Sequence, residues 1–201
     1  MNSCRPSLYL ASRSPRRLEL LRTLGVDFEV LDVAVDETPL AQESAEIYVQ
    51  RLARAKATAG RVASAERRPV LAADTTVVCN DEILGKPRDA ADAARILGLL
   101  SGRWHTVLTG VALAADQLAV ICVQTRVLFR TLCHAEIACY CASGEPLDKA
   151  GAYGIQGLGG ALVTRLEGSY SNVVGLPLAE TLGLLDAAGI AHRLMKDKLE
   201  A

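Results

Sequence analysis

The stretch WHTVLTGVALAADQLAVICVQTRVLFRTL (104–132) decides the class of the fold. Two long runs rich in Val, Leu, Ile and Thr, 104–115 and 118–132, are separated only by Asp116 and Gln117. Residues of this composition suit a pleated, half-buried surface. A two-residue link folds one run back on the other, so the pair is expected to be an antiparallel hairpin. Any sheet that contains it is then not wholly parallel.

Outward from the hairpin, strand and helix signals alternate. SLYLAS (7–12) reads as a strand, SPRRLELLRTL (14–24) as a helix that ends at Gly25, and FEVLDV (28–33) as a second strand. Pro15 suits the first helical position and Ser14 the N-cap. After the loop AVDETPLAQE comes a long helix over 44–66, capped by Ser44, with Ile47, Leu52, Ala55 and Ala59 as its apolar stripe. PVLAADTTVV (69–78) reads as a buried strand, and a helix from Asp89 to Leu100 closes at Ser101-Gly102. On the C-terminal side a short helix over 134–143 precedes GAYGIQGLGG (151–160). ALVTRLEG then reads as a strand, and Pro177 and Gly189 bracket a last helix. Helices mixed with strands and a hairpin give an α/β class with a mixed sheet.

The 201 residues suit one domain, or two small lobes sharing a cleft, and bury a core without staples. Basic and acidic side chains number 22 and 23, for a net charge of −1, so no global field draws the chain to a nucleic-acid polymer or an anionic membrane. Any anion site must be local. MNSCRPSLYLAS lacks the pattern of a signal peptide, and no apolar run reaches spanning length, which predicts a soluble cytoplasmic protein. The six cysteines lie mostly in apolar elements and are expected to be reduced core-fillers. Cys133, His134, Cys139 and Cys141 lack zinc spacing, because a helix there points Cys139 and Cys141 about 200° apart.

Four polar islands interrupt the apolar elements. In Ser12-Arg13-Ser14-Pro15-Arg16-Arg17, two cations occupy the first turn of a helix, where the backbone already presents positive charge. A bound anion reverses that conflict, since free amides and guanidinium forks cradle phosphate; a capped surface helix is the alternative. Asp36-Glu37 follows a strand and offers oxygen ligands for a hard divalent cation. Asp74-Thr75 lies within an apolar strand, and a buried carboxylate needs a polar, cationic or metal partner. Lys86 follows in the loop LGKP, which is not a P-loop. The fourth island runs from Asp148 and Lys149 through the five glycines of GAYGIQGLGG, which match no dinucleotide fingerprint. Close approach to a ligand explains such a run; a series of turns explains it equally. Together, Arg16, Arg17, Lys56, Lys86 and Lys149 with Glu37 and Asp74 form an inventory for phosphoryl chemistry on a metal-bound polyphosphate.

LASRSPRRLELL (10–21), DE (36–37), the Lys56 helix, AADTTVV (72–78), LGKPRDA (84–90), LDKAGAYGIQG (147–157) and GSYSNVVGLPL (168–178) occur in the order found in a known family. The sequence resembles the Maf-type nucleoside triphosphate pyrophosphatases from about residue 7 to about residue 190. The resemblance implies a single Maf-like domain over 1–201, with a mixed twisted sheet, flanking helices and two lobes around a cleft, similar to inosine triphosphate pyrophosphatase-like folds. It implies hydrolysis of a nucleoside triphosphate to the monophosphate and pyrophosphate with a divalent metal, Mg²⁺ or Mn²⁺, and it admits a homodimer. By motif, Asp74 is expected to accept the proton of the attacking water and Glu37 to bind the metal. Ser12, Arg17, Lys56 and Lys86 fall at triphosphate and active-site positions, with Lys56 and Lys86 counted as catalytic and Lys149 as a further substrate contact. SPRR, ADT and IQG resemble the branch preferring dTTP and UTP, in which Arg16, Thr75 and Gln156 stand where the base is chosen. Arg13 departs from the family pattern and adds a charge there. The alternatives are a nucleotide-binding regulator of cell division and septum formation, or a pyrophosphatase for modified nucleotides such as 7-methylguanosine triphosphate.

Overall fold

The computed structural model describes residues 7–195. In chain order it contains β1 (Leu8–Leu10), α1 (Pro15–Thr23), β2 (Phe28–Val30), α2 (Ala45–Ala63), β3 (Val70–Cys79), β4 (Glu82–Leu84), α3 (Ala90–Leu100), β5 (Trp104–Ala114), β6 (Leu118–Phe129), α4 (His134–Ala142), β7 (Val163–Glu167), α5 (Tyr170–Val174) and α6 (Leu178–Ala187). Three 3₁₀ turns, Glu145–Asp148, Ala150–Ala152 and Leu158–Leu162, lie between α4 and β7. The sheet runs β2-β1-β3-β5-β6-β7, with β4 paired to β3. β1 is parallel to β2 and β3, whereas β4 and β7 run antiparallel to their partners, so the sheet is mixed as expected. β5 and β6 are neighbours joined by Ala115–Gln117, where the Ala115 amide donates to the Gln117 carbonyl at 3.1 Å. The link is one residue longer than the sequence suggested, and it still permits only the antiparallel arrangement. β6 ends three residues early because the Leu132 amide turns to Ser101 Oγ, at 2.8 Å.

The chain forms two compact units. Among the described residues the first comprises 7–74, 109–123 and 175–195, and the second 75–108 and 124–174. β3, β5 and β6 contribute residues to both.

In the first unit the strands alternate faces with period two. Leu8, Leu10, Leu71, Ala73, Val111 and Leu113 pack on Leu21 of α1 and on Leu176 and Leu185. The opposite face is made of small residues: Ala11, Ala72, Ala112 and Ala114 beside Tyr9 and Val70, against Ala53 and Ala57 of α2. A helix sits close on such a surface. A Cβ on Gly60 would come within 2.7 Å of Val70 Cγ1, and one on Gly110 would strike the Val49 carbonyl. The buried stripe of α2 is therefore Val49, Leu52, Ala53, Ala57 and Gly60, not the expected set: Ile47 is 59% exposed, and only Leu52 is shared. Small size, rather than hydrophobicity, chose the face. Lys56 lies one turn beyond Leu52 at the margin of this stripe, which carries its stem across toward β3.

The second unit is built around Val77, Leu84, Leu97, Leu100, Phe129 and Tyr153. His105, Phe129 and Tyr153 meet edge to face, with centroids 4.7 to 5.5 Å apart. Asp89 caps α3 by accepting from the Asp92 amide at 2.8 Å. α5 was not foreseen; its five residues follow Gly168, whose φ of +125° turns the chain out of β7. Cys79 is buried as expected, but Cys133 caps α4 and Cys139 lies on its outer face, both exposed. Cys4 lies outside the described residues.

Candidate active site

In the first unit the site begins where β1 runs into α1. Pro15 occupies the first helical position, but Ser14 makes no side-chain cap. Instead the Ser14 amide donates to Ser12 Oγ at 3.3 Å, and that oxygen also accepts from Arg17 Nη1 at 3.4 Å. Arg17 Nε donates to the Gly175 carbonyl at 2.8 Å, which fixes the plane of the guanidinium. Burial pushes the pKa of Arg17 down, and the charges of Asp74 and Glu37 oppose that shift. The group stays cationic throughout the physiological range. Arg16 is half-buried beside it. Arg13 turns outward onto Asp32, at 3.3 Å with both side chains exposed, so its extra charge lies on the surface.

Asp74 lies in β3 with 8% of its surface exposed. Its partner is Lys56, whose ammonium stands 2.7 Å from Asp74 Oδ1 and 2.6 Å from Glu37 Oε1. Three residues singled out in the sequence thus share one atom. The adjacent carboxylates of the 36–37 pair divide their work: Asp36 Oδ1 accepts from the Thr38 amide at 2.9 Å and shapes the loop, while Glu37 reaches Lys56.

Sequence reasoning missed the residues that hold this loop. The Tyr48 hydroxyl donates to the Glu37 carbonyl at 2.9 Å. Its pKa is pushed up to about 12, first by burial and then by the negative charges of Asp74 and Glu37, so it remains a donor. Arg51 grips Glu43 through two bonds, 2.6 and 2.7 Å, and donates to the Thr38 carbonyl at 3.1 Å. The recurrence of Tyr48, Leu52 and Lys56 every four residues was the available signal, since it places a phenol and an ammonium along one edge of α2.

The second unit carries Thr75, Lys86, Lys149 and Gln156. Thr75 is half-buried in β3, Lys86 is exposed in the loop after β4, and Gln156 is exposed between Gly154 and Gly157. The Gly151 amide donates to the Gly85 carbonyl at 3.1 Å, tying the Lys86 loop to the start of the glycine-rich run. The Lys149 ammonium is turned onto the Glu145 carbonyl, at 2.6 Å, and Asp148 Oδ1, at 2.5 Å.

A divalent cation fits the donors of the first unit. Two carboxylate oxygens already converge on one positive atom, and hard oxygen donors suit Mg²⁺ or Mn²⁺. Among the described residues no group of three or more His, Cys, Asp or Glu is placed to hold a metal ion. One or two carboxylates is nevertheless the number that Mg²⁺ takes from a protein when substrate phosphates complete its shell.

A sequence model of the family described as Maf-like protein matches residues 7–188. The chain belongs to this family. A dTTP/UTP pyrophosphatase of Shigella sonnei is 59% identical to this Maf-like chain over 180 residues, covering 89% of the chain and 91% of that protein. A nucleoside triphosphate pyrophosphatase of Shigella flexneri matches to the same extent, at 59% identity with the same coverage. The dITP/XTP pyrophosphatase structure from Mycobacterium abscessus overlays 62% of this chain and 75% of that chain, with a TM-score of 0.41 and 20% identity. Among the described residues no helix is long and apolar enough to cross a membrane.

Proposed function

We propose that this chain hydrolyses nucleoside triphosphates, dTTP and UTP in preference, to the monophosphate and pyrophosphate, and so cleans the nucleotide pool of the cytoplasm as one functional domain. The observation that carries the proposal is the cluster in which Lys56 bridges Asp74 and Glu37 beside Arg17. A carboxylate in an apolar strand, fixed by an ammonium and flanked by a guanidinium, is the equipment for moving a proton next to polyphosphate. The names of the relatives, dTTP/UTP pyrophosphatase among them, support the substrate class.

Asp74 is held through Oδ1, which orients Oδ2 to take a proton from the attacking water. The water oxygen bonds to the α-phosphorus as the bond from that phosphorus to the bridging oxygen breaks. The water's proton passes to Asp74, and the electron pair leaves with pyrophosphate. Arg17 and Lys56 neutralise charge on the departing group, with Lys86 and Lys149 as further cations for phosphate and Ser12 as a hydroxyl contact. Glu37 would hold Mg²⁺ or Mn²⁺, which when bound polarises phosphoryl oxygens and neutralises the leaving group. Arg16, Thr75 and Gln156 choose the base; the Gln156 amide offers both a donor and an acceptor, matching the O and N3–H edge of thymine or uracil.

The test is product analysis on a panel of triphosphates with the protein and its Asp74→Asn variant. Pyrophosphate released from dTTP and UTP, and at least about a hundredfold less of it from Asp74→Asn, is the expected result, in line with the usual contribution of a general base. Orthophosphate as the product, or undiminished turnover in the variant, refutes the assignment. Tight nucleotide binding without turnover in either metal points instead to a regulator.

A further inference from the structure

The glycine-rich run looks like a cradle for a ligand, yet several of its glycines face the protein's own side chains. A Cβ on Gly157 would collide with the Glu145 carboxylate. One on Gly159 would come within 2.5 Å of the Tyr140 hydroxyl, and one on Gly154 within 2.7 Å of Lys149 Cε. What occupies that space is a strap. Glu145 Oε1 accepts from the Tyr140 hydroxyl at 2.8 Å and the Gly159 amide at 3.1 Å, and Oε2 accepts from the Leu158 amide at 2.9 Å. The Tyr140 hydroxyl in turn accepts from the Gly154 amide at 3.1 Å.

These bonds grip both ends of a single turn. The Gly157 amide donates to the Gly154 carbonyl at 3.1 Å, which closes the chain around Ile155 and Gln156. The Gly154 amide is held by Tyr140 on one side, and the Leu158 and Gly159 amides by Glu145 on the other. The side chain left exposed on the tip is Gln156. Burial on its own would raise the pKa of Glu145, but the Gly159 amide, the Tyr140 hydroxyl and the Leu158 amide hold it below the usual range, so the strap is anionic at neutral pH. Tyr140 is 6% exposed and belongs to the core, so the brace is anchored in packed structure.

We propose that Glu145, braced by Tyr140, is a positioning residue that holds Gln156 in the orientation needed to discriminate among bases. The inference rests on the proposed role of Gln156 in base choice. A glutamine reads a base edge only if its amide is presented at a fixed angle, because a mobile amide offers its donor and acceptor to cytosine and thymine alike.

The experiment compares kcat/KM for dTTP and dCTP in the wild type, Glu145→Gln, Tyr140→Phe and Gln156→Ala, with Tm and amide exchange of 154–160 measured alongside. Glu145→Gln preserves size but faces one amide N–H with an NH₂ group. Tyr140→Phe removes a single hydroxyl and carries the test if the first variant does not fold. The expected result is a dTTP-to-dCTP ratio lowered about tenfold in both, through a higher KM on dTTP with kcat retained, together with faster exchange of the loop amides. An unchanged ratio in both variants overturns the inference. So does an equal fall on both substrates that tracks a loss of Tm, which is what a purely structural strap gives. Gln156→Ala separates the two levels: if it leaves the ratio intact, the base-choice reading fails and the inference with it. If it collapses the ratio while Glu145→Gln and Tyr140→Phe do not, only the inference falls.

Discussion

Replacing Lys56 by Met removes one positive atom from two carboxylates while keeping most of the stem. The Asp74 pair is largely enclosed, with side chains 13% and 12% exposed, whereas Glu37 is 54% exposed. Breaking an enclosed pair by deleting one partner costs about 3–5 kcal/mol, because a charge is left without compensation. The solvated Glu37 contact contributes about 0–1 kcal/mol. The site is open on the Glu37 side, so the lower end applies and Lys56→Met should lose about 3 kcal/mol. In an Asp74→Asn background there is no charge to strand, and the same substitution should cost roughly 1 kcal/mol, leaving a coupling of about 2 kcal/mol. Urea unfolding of the four proteins, read as midpoint shifts at constant slope, measures the cycle. In thermal melts the single variant should drop by about 6–12 °C. A loss below about 1 kcal/mol, or full additivity in the double variant, would refute the claim that Lys56 chiefly compensates Asp74.

Four further expectations follow from the structure. Burial pushes the His105 imidazole down from 6.5 to about 4, so below about pH 6.5 the unfolded chain takes up a proton that the folded one refuses. Stability should therefore fall as pH drops from about 6.5 to about 4, by about 3 kcal/mol, and His105→Gln should flatten that slope in denaturant titrations. Gly157→Ala, which drives a Cβ into Glu145, should destabilise by about 1–3 kcal/mol; Gly98→Ala in α3, where nothing lies within 4 Å, should stabilise by about 0.5–1 kcal/mol in the same melts. Burial raises the Cys122 thiol to about 11 and pushes Cys79 up as well, so iodoacetamide at neutral pH should label the exposed Cys133 and Cys139 before Cys79 and Cys122, as peptide mapping would show.

The parts of this fold that were legible in the sequence are those governed by one dominant force. The apolar runs on either side of Asp116 form adjacent strands because nothing else satisfies both their side chains and so short a link. Asp74 was legible because a carboxylate in an apolar strand creates a need for a partner, and Lys56 meets it. The phase of α2 was not, because the face that packs is chosen by closeness. Ala53, Ala57 and Gly60 let the helix backbone approach Val70, whereas Ile47, the strongest hydrophobe near its start, points away. Ser14 illustrates a different limit. Its position is that of a cap, but the loop geometry gives its own amide to Ser12 and leaves its hydroxyl uninvolved in capping. Of the residues that steady Glu37 and Gln156, Arg51, Tyr140 and Glu145 were out of reach because they act through contacts with backbone, which no spacing rule reveals; only Tyr48 left a trace, its four-residue step to Leu52 and Lys56 along α2.

The collision between position 157 and the Glu145 carboxylate links two places in the chain that local pattern reading treats as unrelated. Glycine at 157 is required only while a carboxylate stands at 145. A relative that loses that acid is released from the requirement, and one that acquires a β-carbon at 157 must first shorten or remove the acid. The two positions should therefore drift as a pair, and the order of the steps matters: the acid can go first at the cost of a looser turn, whereas the glycine cannot go first without a clash. A glycine-rich signature of this kind is then partly a record of an internal partner rather than of a bound molecule.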